Sequence, residues 1–160
     1  MEYKRVFVPG GTYFFTVVTH MRQPFFSDEN AINTFKICLL KTKRDYPFKL
    51  DAIVILPDHI HTIWTLPEND ANYPLRWRLI KASFSHHWAK EIKNPLEKSP
   101  SRIKKKENTI WQRRYWEHSI TNEVDYHQHL EYVFYNPVKH GYVNDPKDWQ
   151  YSFLINNTWY

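Results

Sequence analysis

The chain has 160 residues, of which 42% are hydrophobic and 18% aromatic, which excludes a disordered protein and suits one domain spanning 1–160. Its single cysteine, Cys38, excludes an internal disulfide, and no apolar run reaches the roughly 20 residues that span a bilayer. We therefore expect a cytoplasmic protein without a membrane partner. The net charge of +5 favours a polyanion such as nucleic acid.

The first half of the chain alternates strand and helix signals. Residues 12–19 are β-branched and aromatic, which predicts a strand, and Asp28 can cap the helix that follows. Two further apolar stretches, 50–56 and 59–66, flank a tight-turn pair that begins at Pro57. They predict a β-hairpin.

The second half predicts one helix beginning at Pro74 and another from Asn122 to about Asn136, with a short strand within 111–120 between them. Residues 94–108 are basic and poor in apolar side chains, which predicts a flexible loop. The order β-α-β-β-α-β plus a helix matches the split β-α-β plan. We predict an α+β fold with an antiparallel sheet, helices on one face and an extra C-terminal helix.

Two histidines stand two positions apart in the second strand of the hairpin. His59 and His61 therefore point to the same face of the sheet, and Ile60 points to the other. Two ligands on one rigid strand can share a metal ion. The spacing alone does not decide between such a site and ordinary hydrogen-bonded histidines.

The last predicted helix carries Gln128, Tyr132 and Asn136 four residues apart, on one face. A tyrosine in such a helix is most often a packing residue with a solvated hydroxyl. Asn136 precedes Pro137, which disfavours helical geometry at Asn136. Its short polar side chain suits a metal ligand and the cap of a following turn equally well.

Several segments together resemble those of the transposases associated with repetitive extragenic palindromes, relatives of the insertion-sequence enzymes with one catalytic tyrosine. The segments, which cover almost the whole chain in order, are GGTYFFTV, PDHIHTIW, WQRRYWEH, YVFYNPVKHGYV and DWQYSF. The resemblance implies a ferredoxin-like sheet, a metal held by His59 and His61, and Tyr132 as the nucleophile. At the position of Asn136, relatives supply a third polar ligand.

The resemblance also implies the reaction: metal-dependent cleavage and rejoining of single-stranded DNA at palindromic hairpins. The Tyr132 phenol, with a pKa near 10 in free tyrosine, would lose its proton as it attacks phosphorus and forms a 5′-phosphotyrosine. Mg²⁺ or Mn²⁺ would offset the developing charge, and no nucleotide cofactor would be needed. Because palindrome-associated relatives are thought to act as monomers, a monomer is favoured over a dimer.

Basic side chains elsewhere are candidates for contacts with DNA phosphates, although each could equally be a solvated surface residue. They are Lys4, Arg5, Arg76, Arg78, Lys81, Arg113 and Arg114. We expect His118 to be structural or close to DNA, and His127 and His129 to be solvated. Two other functions stay open: a hairpin-binding protein that has lost cleavage, and a zinc hydrolase, which would need a further His or carboxylate ligand.

Overall fold

The computed structural model describes residues 4–154 and shows a five-stranded antiparallel sheet in the order β4-β1-β3-β2-β5. The strands are β1 (Thr12–Val18), β2 (Lys49–Leu56), β3 (His59–Thr65), β4 (Trp116–Ser119) and β5 (Ser152–Leu154). The helices are α1 (Glu29–Asp45), α2 (Tyr73–Trp88), α3 (Pro100–Lys104) and α4 (Glu123–Lys139). The first four strands have the predicted ferredoxin-like order, and the α+β prediction is confirmed.

Helices α1 and α2 cover one face of the sheet over an aromatic core. Alternate β1 residues such as Phe15 point to this face because side chains along a strand alternate in direction. Trp64 of β3 stacks between Phe48 and Trp77, with ring centroids 4.2 and 4.4 Å away. The predicted helix cap at Asp28 is confirmed by its bond from Asn30 N. This layer supplies most of the buried apolar surface.

Helix α4, the extra helix, covers the opposite face of the sheet. It packs on β2 and β3 through a smaller apolar cluster in which Val133 meets Phe14 and Ile63. The side chain of Asn122 caps the helix by accepting from Asp125 N. The α4 helix continues through Pro137 to Lys139, beyond its predicted end.

The hairpin between β2 and β3 is as tight as predicted. Leu56 pairs with His59, so only Pro57 and Asp58 connect the two strands. The turn is held from outside, because Phe26 N donates to Pro57 O and Thr19 N donates to Asp58 O. The register of β3 in the sheet is therefore fixed at the turn.

The basic segment 94–108 is not a loop throughout, which corrects the prediction. Residues Pro100–Lys104 form helix α3, and the buried Arg102 donates to the carbonyls of Asn108 and Trp111. These bonds tie the segment to the body of the domain.

The C-terminal residues pack against the body as far as they are described. Strand β5, which the sequence did not predict, pairs with β2, and Trp149 Nε1 donates to Ile55 O. The aromatic Trp159 lies outside the described residues. Within 4–154, no helix is long and apolar enough to cross a membrane.

Candidate active site

The predicted histidine pair lies in the middle of the sheet. His59 and His61 are only 5% and 4% exposed, and their ring centroids are 4.9 Å apart. Strand β3 pairs with β1 on one side and with β2 on the other. The two imidazoles therefore project from a backbone that hydrogen bonds hold along its length, and they share one face, as their spacing predicts.

Each imidazole is oriented through its Nδ1 atom. His59 Nδ1 lies 2.6 Å from Asp58 Oδ1, and His61 Nδ1 lies 2.8 Å from Thr16 Oγ1. Because an ionised carboxylate only accepts, the neutral His59 ring donates from Nδ1 and keeps a lone pair on Nε2. The buried Nε2 of His61 has no hydrogen-bond partner among the described residues. Such outer hydrogen bonds are typical of metal-binding histidines.

Burial favours the neutral form of both rings. It lowers the pKa of His61 to about 3, and nearby charge on His59 and His140 acts in the same direction. Burial also lowers the pKa of His59, although the Asp58 carboxylate acts in the opposite direction. A neutral imidazole is the form that binds a metal ion.

The Tyr132 ring lies beside the histidine pair and reaches solvent. Its centroid is 5.1 Å from that of His61, in an edge-on arrangement, and the side chain is 39% exposed. Phe14 of β1 packs against it at 5.8 Å. The phenol is therefore on the same side of the sheet as both imidazoles and is accessible from solvent.

Asn136 lies near the end of α4, between two residues whose rings contact the histidine pair. It is four residues after Tyr132, which meets His61, and four before His140, whose ring centroid is 5.1 Å from that of His59. The side chain is only 1% exposed. Neither Asn136 Oδ1 nor Nδ2 has a hydrogen-bond partner in the described part of the chain.

The alternative that Asn136 caps a turn is wrong. Helix α4 runs on to Lys139, and the amide of Asn136 makes none of the hydrogen bonds that a cap requires. A buried amide without protein partners costs free energy, and a bound water or a ligand would offset this cost. An amide oxygen and two imidazole nitrogens form a donor set that a divalent cation can use.

A cleft of about 380 Å³ opens beside Tyr132. Gln128, predicted to share the helix face of Tyr132, lines this cleft together with His129 and the exposed Trp116. Trp116 faces α4 because it pairs with Thr16 across the β1–β4 ladder. Aromatic planes of this kind can stack on unpaired bases.

Arg76 is not available for DNA, which corrects its prediction as a phosphate contact. The side chain is buried, at 2% exposure for the residue. Its guanidinium donates to both oxygens of Asp70, at 2.8 and 3.2 Å, and to the carbonyls of Tyr46, Pro47 and Asn72. Arg76 therefore fixes the end of α1 to the start of α2.

Three of the other predicted basic residues are already engaged in the protein. Arg5 pairs with Glu117 and stacks over Tyr115, with the guanidinium carbon 4.2 Å from the ring centroid. Lys81 donates to Gln112 O at 2.9 Å, and burial lowers its pKa to about 8. Arg113 donates to Glu107 and to Ser101, and the remaining Lys4, Arg78 and Arg114 are exposed.

Two residues beside the candidate site were missed from the sequence. Lys139 places its Nζ 5.0 Å from the Tyr132 ring centroid, and His140 contacts His59. Lys139 lies seven residues, or two helical turns, after Tyr132, and this spacing is the one signal that could have indicated their contact. The end of α4 had been expected at Asn136, so neither residue was assigned to the helix.

A further polar cluster lies at the start of α4. His118, Asp125 and His129 each offer a ligand atom, and these atoms all lie within 4.8 Å of one another. The expectation that His129 is solvated is wrong, because its ring stacks on that of His118, 4.6 Å away. His127 is exposed, as expected.

A family model described as "Transposase IS200 like" matches residues 8–136. The chain belongs to the IS200-like transposase family. This assignment makes it a transposase-family enzyme, and the matched residues include both histidines, Tyr132 and Asn136.

Named members of this transposase family match almost the whole chain. A REP-associated tyrosine transposase of Escherichia coli (strain K12) is 41% identical over 94% of this chain and 81% of its own length. A Haemophilus influenzae protein, provisionally given the same name, is 46% identical over 94% of this chain and 84% of its own.

Solved structures of transposases agree with the fold. The structure of a REP-associated tyrosine transposase bound to a REP hairpin is 41% identical, with a TM-score of 0.79, and covers 95% of this chain and 81% of that one. A crystal structure of a Deinococcus radiodurans protein, provisionally named a transposase, gives a TM-score of 0.52 at 18% identity, over 83% of this chain and 95% of that one. The second likeness concerns the fold alone.

Proposed function

We propose that this transposase is a metal-dependent endonuclease and strand transferase that cleaves and rejoins single-stranded DNA at palindromic hairpins. Tyr132 is the nucleophile, and His59, His61 and Asn136 hold the divalent cation. The observation that carries the proposal is the coincidence of two features. Buried ligand atoms without partners lie on the same face of the sheet as a solvent-accessible phenol.

The donor atoms fit a divalent cation. His61 Nε2 and Asn136 Oδ1 are buried without partners, and His59 donates from Nδ1, which leaves Nε2 for a metal. Mg²⁺ or Mn²⁺, when bound, supplies Lewis-acid polarisation of the scissile phosphate. A cation held by these three ligands would have coordination positions left for phosphate oxygens.

The residues of the chain divide the chemistry between them. The Tyr132 oxygen attacks phosphorus and becomes the ester oxygen of a 5′-phosphotyrosine, while the bond from phosphorus to the 3′ oxygen breaks. Lys139, beside the Tyr132 ring, contributes positive charge where the phosphate must lie. The covalent bond preserves the phosphodiester for rejoining, so no nucleotide is consumed.

The DNA would pass around the β4 edge of the sheet. Trp116 faces the cleft on the α4 side of this strand, while Arg5 and Lys81 approach the Tyr115 ring on the other side. Because Arg5 and Lys81 are engaged within the protein, the exposed Arg114, two residues before β4, is the basic side chain at this edge that suits a phosphate contact. The relative solved with a REP hairpin supports hairpin DNA as the substrate of this chain.

The test is a covalent adduct on a labelled single-stranded hairpin with Mn²⁺. Wild type should form an SDS-stable protein–DNA adduct, and Tyr132→Phe should form none because it lacks the attacking oxygen. Tyr135→Phe is the matched control: Tyr135 is an exposed neighbour on the same helix and should leave the adduct yield unchanged.

Other outcomes would assign a different function. Hairpin binding by wild type without any adduct would make the chain a DNA-binding protein that has lost cleavage. A tightly bound stoichiometric zinc, with hydrolysis of small substrates, would favour the hydrolase. An adduct that persists in Tyr132→Phe would show that a residue other than Tyr132 is the nucleophile.

A further inference from the structure

His118, Asp125 and His129, the polar cluster near the start of α4, form a hydrogen-bonded network. His118 Nε2 lies 2.9 Å from Asp125 Oδ2, and His129 Nδ1 lies 3.0 Å from Asp125 Oδ1. Thr121 N also donates to Asp125 Oδ2, at 2.9 Å. The carboxylate of Asp125 thus joins an imidazole of β4 to an imidazole of α4.

This arrangement fixes the tautomer of His129. An ionised carboxylate offers only acceptors, so the Nδ1 atom of His129 must carry the hydrogen. The same Nδ1 is 2.8 Å from the backbone oxygen of Asp125, a second acceptor. Burial raises the pKa of Asp125, but hydrogen bonds from Thr121 and His118 outweigh it and the net pKa is lowered. In the neutral His129 ring, Nε2 therefore has a free lone pair.

The geometry of the two rings argues against a shared metal ion. The imidazole planes of His118 and His129 are stacked 4.6 Å apart and inclined by only 17°. A metal bound by imidazole lies in the plane of the ring, about 2 Å from the nitrogen. Two nearly parallel, stacked planes do not both contain such a point, so the cluster suits proton sharing better than coordination.

His129 and Tyr132 line the same cleft. They lie three residues apart on α4, and their rings pack on Phe14 at 4.9 and 5.8 Å. The cleft of about 380 Å³ has room for water between them. A base can act on a nucleophile directly or through one water molecule.

We infer that His129 accepts the phenolic proton of Tyr132, through one water in the cleft, as Tyr132 attacks phosphorus. This inference rests on the proposed function. The proton passes to His129 Nε2, the new bond joins Tyr132 Oη to phosphorus, and the leaving 3′ oxygen takes a proton from solvent. Asp125 and His118 are positioning residues that hold His129 in the required tautomer. On rejoining, His129 returns the proton to the phenol.

The experiment measures the single-turnover rate of adduct formation on the labelled hairpin with Mn²⁺. His129→Ala should lower this rate by about 100-fold or more, the usual contribution of a general base. Hairpin affinity should change by less than about 2-fold, since the substitution removes a proton acceptor and not a phosphate contact. Added imidazole should restore part of the lost rate by occupying the vacated space. His127→Ala, at an exposed histidine of the same helix, is the control and should match wild type.

A second variant separates chemistry from folding. His129→Gln keeps a donor for Asp125 but cannot take up a proton, so it should be as slow as His129→Ala while melting near wild type. A wild-type rate in either variant overturns the inference. So does a slow His129→Ala that imidazole fails to rescue, or a stoichiometric metal bound through His118 and His129 in a His59→Ala/His61→Ala background. If wild type itself forms no adduct, the proposed function fails first.

Discussion

The two faces of the sheet leave different kinds of polar atom without hydrogen bonds. Under α1 and α2 the buried atoms without partners, among the described residues, are indole Nε1 groups such as those of Trp64 and Trp77. Under α4 they are His61 Nε2 and both side-chain atoms of Asn136. An indole N–H can only donate, whereas an imidazole nitrogen and an amide oxygen can bind a cation. One face therefore holds the larger apolar core, and the other holds the residues of the proposed active site.

The largest effect should come from breaking the aromatic face. Trp64→Ala removes the ring between Phe48 and Trp77, and it should lower the free energy of unfolding by about 3–5 kcal/mol in urea titrations. Cleavage per folded molecule should be unchanged. Trp116→Ala, at an exposed position on the other face, should cost no more than about 1 kcal/mol. A similar loss of unfolding free energy in both variants would contradict the different roles assigned to the two faces of the sheet.

A smaller effect should come from the buried guanidinium. Arg76→Met leaves Asp70 and three backbone carbonyls without their donor, so it should cost about 3 kcal/mol of stability without weakening hairpin binding by the folded protein. Arg78→Met, at an exposed arginine of the same helix, should leave stability within about 0.5 kcal/mol of wild type. Reduced affinity in folded Arg76→Met would restore its predicted role in DNA contact.

The same ion pair predicts a dependence of stability on pH. The hydrogen bond from Arg76 is the main cause that lowers the pKa of Asp70 in the folded state. A carboxyl group with a lowered folded pKa stabilises the fold above its unfolded pKa, about 3.9, and loses this contribution as pH falls through the folded value. The stability difference between wild type and Asp70→Asn should therefore be full at neutral pH and shrink in acid. A difference that grows in acid would refute the pairing.

The smallest change in stability, of opposite sign, is expected at Asn136. Asn136→Leu replaces a buried amide without partners by an apolar group of similar shape, so the metal-free protein should gain about 1–2 kcal/mol in unfolding titrations with chelator present. Adduct formation should nevertheless fall. Mn²⁺ should raise the melting temperature of wild type more than that of the variant, because a ligand stabilises the state that binds it. Equal stabilisation of both would remove Asn136 from the proposed ligands.

Features governed by local periodicity could be predicted from the sequence. The period of two along a strand placed His59 and His61 on one face, and a tight-turn pair defined the hairpin that presents them. The period of the helix likewise placed Tyr132 and Asn136 together. These relations hold within one element, so no tertiary information was required.

Relations between distant elements could not be predicted in the same way. In the sequence, Arg76 is one of several basic residues of a predicted helix. It is buried because the Tyr46–Pro47 backbone packs against it and accepts its hydrogen bonds. From the sequence, His129 is an ordinary solvated helix residue. Its ring stacks on that of His118 only because α4 packs beside β4 in the fold. Strand β5 is too short to leave a pattern.

The two-residue connection between β2 and β3 limits how this family member can evolve. Substitutions at Pro57 or Asp58 alter one contact at a time, but inserting a single residue that shifted β3 by one position would reverse every side chain of the strand. His59 and His61 would then enter the aromatic layer, and Ile60 would take their place facing α4. The hairpin can thus diverge in composition far more readily than in length.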